Sequence, residues 1–235
     1  MKYLRFILLF NLLLSFSANA LLEVNILKSK EAAFPIVIAP FEVIGDSKDN
    51  VDIAKIIRDN LNRSGQFSAL STDSLVTNQI DFNFWKEHKK DAVVFGKVEQ
   101  ISPKVYNIYI YIYDVFSEKS LYQKKITVSN SGFRRMAHFL SDKIYYVLLG
   151  QKGSFNTRLS YVTVTDNNSG GRTYRLQISD SDGENPQTIV RQSNPILSPA
   201  WSKDQQKLAY GSFKNNRSEV FVMTPFLKTI PIKLP

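Results

Sequence analysis

The stretch SPAWSKDQQKLAYGSF, residues 198–213, decides how the second half of this chain is read. A Trp-Ser pair, a polar turn and then an alternating apolar strand is the pattern that opens a blade of a β-propeller. Upstream lie TRLSYVTV (157–164), a turn DNNSGGR, TYRLQIS (173–179), a turn DSDGENP and a short QTIVR (187–191). After SPAWSKDQQ, read as a connection, the order begins again with KLAYGS, a turn, SEVFVMT, a turn and TIPIKL. Leu159-Ser160-Tyr161 overlays Leu208-Ala209-Tyr210, and Arg175-Leu176-Gln177-Ile178 overlays Glu219-Val220-Phe221-Val222. A longer hairpin turn in the first pass absorbs the difference in spacing. A repeat of about 40–45 residues built from short strands predicts an incomplete all-β propeller of about two blades over residues 153–235.

Residues 1–20 read differently. Lys2 and Arg5 make a basic start, an apolar run follows from Phe6 to Phe16, and Ala18-Asn19-Ala20 is an A-x-A cleavage site. Together these make up a secretory signal peptide, and the apolar run is too short to span a bilayer. Cleavage near Ala20 leaves Leu21 first. The chain has no cysteine, which excludes an N-terminal lipidated cysteine and any disulfide, so each domain must rely on its core. The reading is an exported protein with no membrane span, placed in a periplasm.

Residues 21–152 alternate strands and helices, which predicts an α/β domain with a mixed sheet and packed helices. FPIVIAPF (34–41) is a buried strand ended by Pro40. Ile53, Ile56, Ile57 and Leu61 form one face of a helix, capped by Asp49 or Asn50 and stopped at Gly65. In VYNIYIYIYDV the isoleucines 108, 110 and 112 face one way, and Tyr109, Tyr111 and Tyr113 face the other, toward covering helices. A hairpin at Ser117–Lys119 leads to SLYQKKITVS. A long helix from about Gly132 to Leu149 buries Phe133, Met136, Ala137, Leu140, Ile144, Val147 and Leu148.

Several chemistries are disfavoured. His88 and His138 are the only histidines and show no metal-ligand spacing, so His138 is read as a hydrogen-bonded structural residue. In DSDGENP, Asp180 and Asp182 have the spacing of two calcium ligands, but Gly183 is at the fourth place and Arg191 at the twelfth, so a hairpin turn fits better. No G-x-S-x-G nucleophile elbow occurs. The reading is therefore no catalytic residue, no metal, no cofactor and no enzyme. The formal charge of +9 and the tyrosine row would suit single-stranded nucleic acid, but export argues against it. A periplasmic binding or scaffold module, or the propeller remnant of a peptidase, are the alternative readings.

An exported α/β domain followed by blades with SPAWS motifs resembles the TolB family of the Tol-Pal system. The resemblance rests on Ala39-Pro40-Phe41, Leu61–Phe67, Ala92–Val98, Ala137-His138, Ser141-Asp142, Gly150–Gly153, Phe155, Thr157–Val162, Ser179–Gly183 and Ser198–Ser202. The junction stretch, 137–162, is its specific portion. The resemblance implies a six-bladed propeller in the family, and so a shortened chain here. It also implies a non-enzymatic role in outer-membrane invagination at cell division and in outer-membrane integrity. The implied partners are TolA, met by the mature N-terminal segment Leu21, Leu22, Glu23, Val24, Asn25 and Ile26, and the peptidoglycan-associated lipoprotein Pal, met by the propeller. No Pal-binding residue is assigned.

Overall fold

The computed structural model describes residues 33–45, 52–73, 75, 76, 79–166, 170–214, 217–227 and 230–234. Residues 1–20, expected to be a signal peptide, and residues 21–26, expected to meet TolA, lie outside the described residues. A six-stranded mixed sheet organises the α/β region, in the order β3-β1-β4-β5-β6. Strand β1 (Phe34–Ile38) runs parallel to β3 (Phe67–Ser71) and to β4 (Ala92–Ser102). The short β2 (Glu42–Ile44) pairs parallel with β4 beyond the end of β1. β4, β5 (Val105–Asp114) and β6 (Ser120–Ser129) form an antiparallel meander.

Both faces of the sheet centre are covered, which is why β1 and the start of β4 are nearly continuous apolar runs. On one face Ile36, Ile38, Val94, Ile108, Ile110 and Ile112 pack under helices α1 (Ile53–Arg63) and α3 (Phe133–Leu149). On the other face Val37, Ala39, Val93, Phe95 and Val115 meet Trp85 of the short helix α2 (Phe82–Glu87). The tyrosine row is only partly helix-covered. Tyr113 packs against Phe82, whereas Tyr109 donates its hydroxyl to Glu99 at 2.9 Å and lies under Lys125. Gly96 is required where β4 passes Phe41. A Cβ there would sit 2.3 Å from the Phe41 ring and 2.3 Å from the carbonyl oxygen of Tyr109.

Helix α1 starts slightly later than its sequence pattern predicts. Its cap is Asp52, whose carboxylate accepts from the Lys55 N–H at 2.9 Å, rather than Asp49 or Asn50. It stops at Ser64 and at Gly65, where φ is +72°. The Asn62 side chain then clamps β3, donating to the Ala69 carbonyl at 2.9 Å and accepting from its N–H at 2.8 Å.

The remaining strands build a partial propeller. β7 (Arg158–Asp166), β8 (Arg172–Asp180) and β9 (Gln187–Gln192) form a three-stranded antiparallel sheet. β10 (Ile196–Trp201), β11 (Leu208–Lys214), β12 (Arg217–Met223) and β13 (Ile232–Lys233) form a four-stranded one. Leu176, Ile178, Ile196, Leu208, Tyr210 and Met223 join the two sheets in a single apolar cluster. The sequence repeat survives as β7/β11, β8/β12 and β9/β13. One detail differs from the sequence expectation. Ser198-Pro199-Ala200-Trp201 belongs to strand β10, and the register of β10 on β11 shifts between Leu197 and Ala200, beside Ser198 at φ +48°. The last strand of the second sheet is β13, within TIPIKL, and Phe221 and Val222 pair with it and are half-buried within the sheet.

Candidate interdomain site

Helix α3 is amphipathic in an unusual sense. Its apolar face covers the sheet, and a second stripe at i, i+4 and i+8 is polar: Arg134, His138 and Asp142. That stripe meets the turn after β8 and the connection before β7. Arg134 donates from Nε to Asp180 Oδ2 at 3.0 Å, and its other guanidinium nitrogen bonds Asp182 Oδ2. Asp142 accepts the N–H groups of Phe155 at 2.7 Å and Asn156 at 3.1 Å. Ser181 Oγ donates to the Phe155 carbonyl, which ties the turn to the connection. Gly153 passes directly over Asp142. A Cβ at this position would lie 2.4 Å from Asp142 Oδ1 and 3.0 Å from its Cα.

A buried network orients the imidazole between these contacts. Arg63 can only donate, and it donates to Asn60 Oδ1 at 2.7 Å. The Asn60 amide nitrogen is thereby directed to Ser141 Oγ and to His138 Nδ1, each at 2.9 Å. Nδ1 therefore accepts, and the neutral ring carries its proton on Nε2. That nitrogen faces Asp182 Oδ2 at 3.7 Å and Asp180 Oδ2 at 3.9 Å, beyond hydrogen-bond reach, and is buried without a hydrogen-bond partner among the described residues. The hydrogen-bonded histidine expected from the sequence is thus satisfied on one nitrogen only.

Burial pushes the His138 pKa down, and its two carboxylate neighbours only partly oppose this, with Arg134 and Arg63 adding to the depression. Burial would raise Asp182, but Arg134 and the Glu184 N–H outweigh it and hold the carboxyl below the usual range. The donor atoms of His138, Asp180 and Asp182 lie within 4.8 Å of one another, a set a transition metal could accept. Arg134 already bridges both carboxylates, so the cation of this cluster is the guanidinium.

Sequence reasoning does not single out Arg134, reads Asp180 and Asp182 only as turn residues, and misses that His138 is buried. The available signal is the i, i+4, i+8 spacing of polar residues on a helix with a long apolar face. Of the stretches that carry the family resemblance, those containing Arg63, His138, Ser141, Asp142, Gly153, Phe155, Asp180 and Asp182 converge on this one junction.

The profile of the TolB amino-terminal domain matches residues 22–121, and that of the TolB β-propeller domain matches residues 145–230. The Tol-Pal system protein TolB of Ruthia magnifica subsp. Calyptogena magnifica is 56% identical over 218 residues, 93% of this chain and 51% of that protein. The protein of the same name from Nitrosococcus oceani is 39% identical over 211 residues, 88% of this chain and 48% of its own. The chain thus spans about half the length of the curated relatives it matches. The crystal structure of TolB from Acinetobacter baumannii superposes with a TM-score of 0.73 at 31% identity, over 85% of this chain and 49% of that one. Profiles on both domains, relatives along nearly the whole chain and a shared fold lead to one conclusion: the chain belongs to the TolB family.

Proposed function

We propose that the chain is a non-enzymatic, periplasmic connector of the Tol-Pal system, acting in outer-membrane invagination at division and in outer-membrane integrity. In this reading residues 1–20 are the signal peptide, 21–152 the α/β domain and 153–235 the partial propeller. The segment Leu21–Ile26 contacts TolA, and a complete propeller contacts Pal. The observation that supports a connector is the junction itself. The first propeller sheet is held to α3 by an arginine bridging two aspartates and by Asp142 gripping the connection, so a displacement of either domain acts on the other.

The reading is tested by binding. The chain beginning at Leu21 should bind TolA, and deleting Leu21–Ile26 should abolish that binding while leaving the unfolding midpoint unchanged. Unaltered TolA binding after the deletion would remove the assignment. Mass analysis of the exported protein should find Leu21 at the N-terminus. Pal affinity, measured beside TolA affinity, reports whether these two sheets suffice for the second contact.

A further inference from the structure

A cleft of about 700 Å³ opens between the N-terminal end of α3 and the first propeller sheet. Three arginines at the cleft, Arg134, Arg135 and Arg158, meet two carboxylates, Asp180 and Asp182, so its charge is positive by one. The first turn of α3 contains no acidic residue and two arginines, although a helix N-terminus favours negative charge. Arg134 pairs with both Asp180 and Asp182, which leaves one carboxylate charge in excess in that cluster. Arg135, exposed and lining the cleft, has no carboxylate partner among the described residues. Across the cleft Arg158 of β7 also lacks a carboxylate partner among the described residues, and its guanidinium stacks 4.0 Å from the Phe226 ring centroid. Burial and then the charge of Arg135 depress the Arg158 pKa while Asp180 opposes them, so Arg158 feels both a guanidinium and a carboxylate of the cleft. At the cleft's inner wall His138 presents the buried Nε2 that lacks a partner.

Arg135 and Arg158, close to the positive end of a helix, favour a further anion beside Asp180, the carboxylate that already lines the cleft. The remaining lining suggests what carries that anion. Asn156, Gln187 and Gln205 have no side-chain hydrogen bond among the described residues, and each amide can both donate and accept. This suits a peptide backbone. The volume exceeds that of a single inorganic oxyanion several-fold. We propose that this cleft binds an acidic peptide segment, its carboxylate held between Arg135 of the α/β domain and Arg158 of the first propeller sheet. A ligand so placed touches both domains of the chain and stabilises their junction. This goes beyond the connector reading and does not depend on TolA or Pal.

The test is calorimetric titration of the chain with triglutamate, with triglutamine and inorganic phosphate as parallel probes. Triglutamate should bind, more weakly as ionic strength rises. Arg135→Gln and Arg158→Gln should each weaken it about tenfold, the loss of one charge-assisted contact. Arg191→Gln, which removes an exposed arginine outside the cleft, should leave the affinity unchanged. Circular dichroism checks that each variant is folded. Equal binding of triglutamine, equal binding of phosphate alone, or unchanged triglutamate affinity in the Arg135→Gln/Arg158→Gln double variant would each overturn the proposal.

Discussion

The two domains of this chain are held together by different physics. In the α/β domain a six-stranded sheet is packed on both faces, and Ile57, Leu61, Leu140 and Ile144 of the helices reach full burial. In the partial propeller a single apolar cluster lies between two sheets, while Leu159, Val164, Leu197, Phe213 and Val220 of its strands remain exposed. The connection between the domains is a third kind of contact, made of an arginine, three aspartates and a histidine around one apolar anchor, Phe155, which is buried in the α/β core. The difference teaches where each substitution should be felt. Apolar truncation governs the α/β domain, and polar truncation governs the coupling of the propeller to it.

The largest effect belongs to Leu140→Ala. It empties a fully buried site under the sheet and should cost about 2–5 kcal/mol in urea unfolding. A loss under about 1 kcal/mol would break the contrast, because the helix would then not be held by its apolar face.

Gly153→Ala should come next. The added Cβ meets the Asp142 backbone as well as its carboxylate, so the connection must move away from α3. Overpacking of this kind costs about 1–3 kcal/mol, and the loss should be read at the propeller rather than at the α/β domain. Hydrogen exchange of the Phe155 and Asn156 amides, which Asp142 protects, reports the displacement directly.

Acid should loosen the junction before it unfolds the α/β core. His138 has a folded pKa below its ordinary value, so its contribution is complete above about pH 6.5 and declines as pH falls toward the depressed value. Asp182 is likewise depressed, and its contribution fades below about pH 4. Stability measured from about pH 8 to about pH 3 should therefore fall in two stages, and His138→Gln should flatten the upper one. A flat profile between about pH 6.5 and pH 5 in the native chain would refute the role given to the imidazole.

The smallest change in stability is forecast for Ile232→Ser on the exposed edge strand, within about 0.5 kcal/mol. Its effect should be on self-association instead, since an apolar edge is a template for pairing with another chain. Sedimentation at rising concentration would show the variant more monomeric than the parent.

Local pattern carries most of the fold. The alternation of Ile108, Ile110 and Ile112, the face of α1 and the repeat of the propeller strands all follow from periodicity, which a single stretch displays by itself. Strand β10 is hidden because Ser198-Pro199 has turn chemistry, and only the irregular pairing with β11 lets Ser198 adopt a positive φ inside a strand. The tyrosine row is legible as a face but its cover is not, because Lys125 and Glu99 reach Tyr109 from neighbouring strands. The interdomain site is the least legible feature. Its decisive pair, Arg134 with Asp182, is separated by 48 positions, and each member has an ordinary local reading as a helix or turn residue.

Arg134 couples the two domains, and the chain contains its own reporters of that coupling. Trp85 lies in the α/β domain and Trp201 in the propeller, and they are the only tryptophans. Single-tryptophan variants, Trp85→Phe and Trp201→Phe, let urea unfolding be followed separately in each domain. With Arg134 intact the two transitions should coincide. With Arg134→Ala, Asp180 and Asp182 lose their counter-ion, and the Trp201 transition should shift to lower urea while the Trp85 transition stays near its original midpoint. Two transitions that remain coincident at an unchanged midpoint after Arg134→Ala would contradict the account.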